Sequence, residues 1–148
     1  MKVVIQRSKS SKVSVDGKIV GKIEYGLLLL TGFTHNDNEQ MVDKVIEKII
    51  NLRIFEDENG LMNKSLLDIK GSILNISQFT LYANIKKGRR PSFVDAMEPN
   101  KAKSLYNYMN QKIKDLNIEV ETGIFGADMK VDIYNDGPVT IILDTDNL

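Results

Sequence analysis

The sequence predicts an α+β fold with mostly antiparallel sheets, arranged as a barrel or a sandwich, and two main helices in one domain of residues 1–148. Short apolar runs separated by turn signals outnumber helical patterns, which is typical of antiparallel sheet. Only two segments repeat apolar residues at helical spacing. A chain of this length buries roughly 70% of its unfolded surface, enough for one hydrophobic core.

Strands are predicted wherever apolar or β-branched residues form a short run between turn residues. Asp16-Gly17 predicts a tight hairpin, and Asn59-Gly60 and Asp136-Gly137 predict two further turns. The predicted strands are Val3–Arg7, Lys12–Val15, Lys18–Ile23, Leu27–Thr31, Ser72–Ser77, Met129–Tyr134 and Val139–Leu143.

The two predicted helices each have one apolar face. The first contains Met41 to Ile50, and Asp37 with Gln40 three residues later predicts a capping box at its start. The second follows Pro99 and extends to Leu116.

Charge and composition exclude several classes of protein. The charges of twenty basic and twenty acidic residues cancel, so we do not expect the protein to bind a long stretch of DNA. There is no cysteine, no apolar run of membrane-spanning length and no signal-peptide pattern, so we expect a cytoplasmic protein with no membrane partner. The local exception is a basic run that is either a solvated loop or a phosphate contact: Lys86, Lys87, Arg89 and Arg90.

Most catalytic chemistries lack their residues in this sequence. His35 is the only histidine, and its position before the first helix favours a loop or capping role over that of a catalytic base. The acidic run Glu56–Glu58 is interpreted as a solvated turn, so we expect no metal. Phosphate-binding glycine loops are absent, and we expect no cofactor.

Two short segments remain as candidate sites. Ser77–Thr80 follows a predicted buried strand, and strand alternation puts Gln78 and Thr80 on one face. With nearby N–H groups these side chains could bind an oxyanion, or they could be an ordinary strand end. Gly137-Pro138 is either a common turn or a cis peptide whose successive carbonyl oxygens point the same way and accept hydrogen bonds.

Six ordered motifs cover essentially the whole chain: Val3–Arg7, Asn51–Phe55, Ser77–Ala83, Lys87–Phe93, Glu121–Met129 and Asn135–Thr140. In these motifs the chain resembles the D-aminoacyl-tRNA deacylases of the bacterial and eukaryotic type. Two stretches depart mildly from the family pattern, Ser8–Lys12 and Thr31–Phe33, and neither touches a site motif.

The resemblance implies hydrolysis of the ester that joins a D-amino acid to the 3′-terminal adenosine of tRNA. It also implies an obligate homodimer, in which a cis Gly137-Pro138 pair reaches into the partner's pocket and rejects L-amino acids. Mischarged glycyl-tRNA is expected to be hydrolysed too. The implied roles are catalytic for Ser77, Gln78, Phe79 and Thr80 and supporting for Arg7, Asn135 and Thr140. We expect the basic run Lys86, Lys87, Arg89 and Arg90 to contact a few tRNA phosphates, because the enzyme needs little of the tRNA beyond its terminal adenosine.

Two mechanisms and two other functions stay open. Thr80 could be a nucleophile, although no general base lies nearby in sequence. The favoured alternative is that the substrate's ribose 2′-OH positions or activates water, while N–H groups near Phe79 and Thr80 stabilise the oxyanion. The other functions are editing of L-aminoacyl errors, as in a module of some archaeal threonyl-tRNA synthetases, and non-catalytic binding of aminoacyl-tRNA ends by a dimer.

Overall fold

The computed structural model describes residues 1–148, and it confirms the predicted α+β fold with mostly antiparallel pairing. The two predicted long helices are confirmed, and the structure has a third helix of four residues. The helices are α1 (Glu39–Asn51), α2 (Leu66–Ile69) and α3 (Pro99–Asp115). The strands are β1 (Lys2–Ser8), β2 (Ser11–Val15), β3 (Lys18–Ile23), β4 (Gly26–Gly32), β5 (Phe55–Glu56), β6 (Met62–Lys64), β7 (Ser72–Ser77), β8 (Val120–Thr122), β9 (Lys130–Asp132) and β10 (Asn135–Asp144).

The strands form open sheets and do not close into a barrel. The main sheet has five strands in the order β10-β1-β4-β7-β8, and a second sheet has the order β3-β2-β9. β1 pairs antiparallel with both β10 and β4, whereas β4–β7 and β7–β8 are parallel pairs. The parallel pairs matter for the site because the carboxyl ends of β4 and β7 lie side by side.

Both faces of the main sheet carry apolar side chains. On one face, residues such as Ile5, Leu29 and Ile73 pack against α1 and α3 in the larger core. On the other face, Leu28 and Leu74 belong to a smaller cluster that also contains residues of β2 and β3. The two sheets therefore pack face to face, as the predicted sandwich requires.

The predicted capping box at the start of α1 is wrong. Asn38 is the N-cap, and its side chain accepts a hydrogen bond from the N–H of Met41 at 3.1 Å. Asp37 instead accepts from the N–H of Thr34 at 2.7 Å and from the terminal ammonium of Met1 at 2.6 Å. The carboxylate of Asp37 therefore binds the distant N-terminus and Thr34, and it does not cap the helix.

The predicted turns have different outcomes. The hairpin at Asp16-Gly17 is confirmed, as is the turn at Asn59-Gly60, where Gly60 has a φ of 76°. The turn predicted at Asp136-Gly137 is wrong, because both residues lie inside the continuous strand β10. None of the helices is both long and apolar enough to cross a membrane.

Candidate active site

A pocket of about 260 Å³ opens at the carboxyl ends of the parallel strands β4 and β7. Thr31 and Gly32 come from β4, and Ser77 to Phe79 come from the end of β7. The segment before β9, Phe125–Met129, forms another wall, and Ala102 of α3 completes the lining together with Met97. The carboxyl ends of parallel strands are a common place for ligand sites. A groove of about 300 Å³ between α1 and α3 contains none of the predicted site residues.

The segment Ser77–Thr80 does not continue as a strand, so the predicted alternation of its side chains is wrong. β7 ends at Ser77, and Phe79–Tyr82 forms a 3-10 helix. The N–H groups that begin such a turn have no acceptor within it. Phe79 and Thr80 therefore offer main-chain N–H donors beside the pocket, and an oxyanion is stabilised by donors of this kind.

The side chains of Gln78 and Thr80 bond to each other. Gln78 Nε2 donates to the hydroxyl oxygen Oγ1 of Thr80, and no imidazole or carboxylate is bonded to that hydroxyl. A carboxamide cannot take up the proton of a nucleophilic hydroxyl. The turn is therefore equipped to position polar groups, and it lacks the base that would activate Thr80.

The Gly137-Pro138 peptide bond is cis, and both residues are exposed on β10. The pairing of β1 with β10 runs from Lys2–Asp144 to Gln6–Thr140 and resumes only at Ser8–Asn135. Residues 136–139 consequently have no ladder partner on β1, and β10 is the edge of the sheet. The carbonyl groups of Gly137 and Pro138 are thus available to a ligand.

Supporting side chains surround this interruption of the ladder. Arg7 is 6% exposed and donates from Nε to the carbonyl oxygen of Asp136 at 3.0 Å and from Nη1 to that of Ile54 at 2.9 Å. Asn135 accepts from the N–H of Val139 at 3.0 Å and donates to Thr140 Oγ1 at 2.8 Å. These bonds join the strand on both sides of Gly137-Pro138 and hold its shape.

Within one chain the two candidate segments lie far apart. Ser77 is opposite Thr31, Thr31 is opposite Val3, and Val3 is opposite Leu143. Gly137 precedes Leu143 by six residues on β10. Three strand spacings and six residues of rise put the two segments roughly 25 Å apart. The structure therefore places the pocket and the Gly137-Pro138 segment at different parts of the sheet.

The remaining candidates lie outside the pocket lining. Lys86, Lys87, Arg89 and Arg90 are exposed in the loop between the 3-10 helix and α3. His35 lies in a turn, with Nε2 2.7 Å from the carbonyl oxygen of Val94. Asp57, in the acidic run, accepts from the N–H groups of Asn59 and Leu61 and from Asn63, an arrangement that shapes a turn.

Sequence reasoning missed the walls of the pocket. Phe125–Met129, Met97 and Ala102 line it, but no role was predicted for them. The motif Glu121–Met129 of the family resemblance contains Phe125–Met129, and it was the one available signal for this wall.

Comparison with known proteins identifies the family. The family model described as D-Tyr-tRNA(Tyr) deacylase matches residues 4–144. A protein named D-aminoacyl-tRNA deacylase from Bacillus cytotoxicus is 57% identical, covering 98% of this chain and 99% of that protein. One of the same name from Bacillus mycoides is 55% identical with the same coverage. The chain belongs to the D-Tyr-tRNA(Tyr) deacylase family.

Two solved structures share the fold. One, described as c-Myc DNA Unwinding Element Binding Protein, is 38% identical with a TM-score of 0.91, over 98% of this chain and 99% of that one. The other, described as a probable eukaryotic D-amino acid tRNA deacylase, is 16% identical with a TM-score of 0.80, over 96% of this chain and 97% of that one. The second likeness concerns the fold alone.

Proposed function

We propose that this chain hydrolyses the ester bond of D-aminoacyl-tRNA to free tRNA and D-amino acid, and leaves L-aminoacyl-tRNA intact. The observation that carries the proposal is the interruption of the β1–β10 pairing at Gly137-Pro138, which leaves two successive carbonyl groups available on a rigidly held strand. Membership of the deacylase family supports the same activity. The reaction is a chiral proofreading step of translation, and we place it in the cytoplasm with its substrate.

The working unit in this proposal is a homodimer in which Gly137-Pro138 of one copy enters the pocket of the other. The separation of roughly 25 Å within one chain is too large for both segments to contact one aminoacyl group. β10 is an open edge on which Ile142 is 72% exposed. An open strand edge that carries an exposed apolar side chain favours contact with a second copy.

Chirality is selected by exclusion in this arrangement. The carbonyl oxygens of Gly137 and Pro138 accept hydrogen bonds from the substrate's ammonium group and so orient the α-carbon. A D side chain then points to solvent, whereas an L side chain meets the pocket wall. Because no contact reads the side chain itself, many D-amino acids are accepted. Glycine has no side chain to exclude, so mischarged glycyl-tRNA is also a substrate.

Hydrolysis relies on orientation and oxyanion stabilisation, since an aminoacyl ester is already activated. The substrate's 2′-OH positions a water molecule whose oxygen bonds to the carbonyl carbon. The N–H groups of Phe79 and Thr80 stabilise the oxyanion. The bond to the ribose 3′-oxygen then breaks, and that oxygen takes up the proton that the attacking water gives up. This scheme needs no metal or cofactor, and the Gln78–Thr80 bond supports it by leaving Thr80 without a base.

The test is release of labelled amino acid from D-tyrosyl-tRNA and L-tyrosyl-tRNA, side by side, with purified protein and no added metal. We expect rapid loss of the D ester with the L ester spared. Hydrolysis of both esters would contradict the exclusion model. Hydrolysis of an L-seryl ester alone would indicate an editing enzyme for L-aminoacyl errors, and binding without any turnover would indicate a dimer that only holds aminoacyl-tRNA ends.

The tRNA itself needs few contacts in this proposal. The 3′-terminal adenosine enters the pocket, and the exposed cations Lys86, Lys87, Arg89 and Arg90 contact a few phosphates. A net charge of zero fits such a limited footprint. The 38% identical structural relative is described as a protein that binds a DNA element. Because this chain has no net charge, we do not propose DNA binding for it.

A further inference from the structure

An exposed pair of aromatic rings lies at the pocket. Phe79 lines the pocket yet is 58% exposed, and Phe93 is 38% exposed. Their ring centroids are 5.0 Å apart and the ring planes meet at 67°. Edge-to-face contact holds the two rings against each other, but much of both rings faces solvent. Exposed apolar surface beside a site commonly marks a contact with a ligand.

The segment that carries Phe93 is held firmly at its base. Asn84 and Ser92 exchange two main-chain hydrogen bonds of 2.7 and 2.9 Å. Beyond this pair, Thr34 Oγ1 donates to the carbonyl oxygen of Asp95 at 2.6 Å, and the N–H of Met97 donates to that of Phe33 at 3.0 Å. Phe93 is therefore presented to solvent from an ordered position.

The tip of the same loop carries the strongest local charge of the chain. Lys86, Lys87, Arg89 and Arg90 lie between Asn84 and Ser92, all are exposed, and none forms an ion pair within the chain. Cations next to exposed aromatic rings are the usual surface for single-stranded nucleic acid. Phe79 lines the pocket and contacts Phe93, and Phe93 directly follows the loop that carries the cations. An RNA 3′ end has a matching order: a terminal nucleoside, then the preceding bases with their phosphates.

We propose that Phe79 and Phe93 stack a base of the single-stranded 3′ end that precedes the terminal adenosine, while the basic loop Lys86–Arg90 binds the adjoining phosphates. This inference rests on the proposed function and adds a second nucleotide contact to it. Stacking accepts any base because every base has a π-face. It suits an enzyme that must act on many tRNAs, since the two cytidines before the terminal adenosine are common to all of them.

The test compares Phe93→Leu with wild type on two substrates, D-tyrosyl-tRNA and the D-tyrosyl ester of adenosine alone. We expect kcat/KM to fall roughly tenfold on the tRNA and to stay unchanged on the nucleoside ester, which has no base to stack. Tyr25→Leu is the matched control, because Tyr25 is 41% exposed in an edge-to-face pair with Phe55 away from the pocket. It should leave both rates unchanged.

Inhibition supplies a second readout that needs no turnover of the nucleoside ester. Phe93→Leu should raise the inhibition constant of the trinucleotide CCA about tenfold and leave that of adenosine unchanged. Equal losses on both substrates, or no loss on either, would overturn the stacking proposal. A change of oligomeric mass in Phe93→Leu would overturn it in favour of an interface between copies. Failure of wild type on D-tyrosyl-tRNA would instead contradict the proposed deacylase activity.

Discussion

At the scale of single residues, the candidate site works through main-chain groups more than through acids and bases. The hydroxyl of Thr80 accepts a hydrogen bond from Gln78 and has no base beside it. The groups proposed to act on the substrate are N–H donors at Phe79 and Thr80 and carbonyl acceptors at Gly137 and Pro138. Side chains such as Arg7 hold these groups in place.

Thr80→Ala separates the two mechanisms. If the substrate's 2′-OH and main-chain donors carry the reaction, kcat should fall only about tenfold, because the variant keeps its N–H groups. Single-turnover hydrolysis of D-tyrosyl-tRNA measures the effect, with Thr80→Ser as the control that restores the hydroxyl. A loss of roughly 10⁴-fold or more would identify Thr80 as the nucleophile.

Gly137→Ala should nearly abolish activity. Gly137 has a φ of 133°, a region that residues with a Cβ rarely adopt, and a Cβ there would lie 2.8 Å from Val139 Cγ2 and 3.0 Å from Arg7 Nη2. Displacement of the adjacent carbonyl groups should lower kcat/KM on D-tyrosyl-tRNA by roughly 100-fold.

Gly60→Ala is the control for Gly137→Ala, because Gly60 also has a positive φ of 76° but has no neighbour within 4 Å of a built Cβ. It should lower stability slightly and leave kcat/KM unchanged. Full activity in Gly137→Ala would remove this segment from the site.

At the scale of elements, α3 holds β7 in place directly behind the pocket. Asn75 of β7 is fully buried; it donates to Asn110 Oδ1 at 2.7 Å and accepts from Thr31 Oγ1 at 2.7 Å. Tyr106, one turn before Asn110, donates to the main-chain carbonyl oxygen of Asn75. Two residues later β7 ends at Ser77, so this buried polar network positions the start of the 3-10 helix Phe79–Tyr82.

Tyr106→Phe tests that network by removing one hydroxyl without changing the packing. The buried carbonyl group of Asn75 loses its donor, which should lower the free energy of unfolding by about 1–3 kcal/mol. Urea unfolding measures it. Tyr108→Phe on the same helix breaks only an exposed bond to Asp43 and should change stability by at most about 0.5 kcal/mol.

Alkaline pH provides a second readout of the same variant. Burial raises the pKa of Tyr106 to about 12. The fold favours the neutral phenol, so its stabilising effect is complete below the unfolded pKa of about 10 and is lost as the pH rises through the folded value. Tyr106→Phe should therefore lose less stability than wild type at alkaline pH. Equal alkaline losses in both proteins would show that Tyr106 is not the group responsible.

At the scale of the whole molecule, the pocket lies at the ends of β4 and β7, whereas the Gly137-Pro138 segment lies on the edge strand β10, on the other side of β1. A single chain carries both halves of the proposed site but cannot bring them together. Two copies can do so symmetrically, because an isologous dimer gives each pocket the other copy's segment. The proposal therefore makes activity a property of the pair.

Complementation between two inactive variants tests this arrangement. Ala127→Trp blocks the pocket wall, and Gly137→Ala disrupts the inserted segment. Each homodimer should be inactive, whereas a refolded mixture should recover roughly one quarter of wild-type activity, since half of its dimers are mixed and one of their two sites is intact. Mass measurements would verify mixed dimers. Mixed dimers without recovered activity would mean that both segments act within one chain.

How well a feature was predicted depends on how far apart in the sequence the interacting residues are. Asp16-Gly17 required only adjacent residues, and that hairpin was predicted correctly. Asp37 was predicted as a helix cap, but the terminal ammonium and Thr34 bind its carboxylate. The alternation predicted for Ser77–Thr80 failed because the chain turns into a 3-10 helix there.

By itself the sequence determined the fold class, the two long helices and the family, because these depend on periodicity, turn residues and motifs that are local in the chain. Only the tertiary structure decided which residues enclose the pocket, how Arg7 reaches Asp136, and that Ser77 and Gly137 lie three strands apart. Those features depend on strand order and register, which join residues that are distant in sequence. No local pattern encodes them.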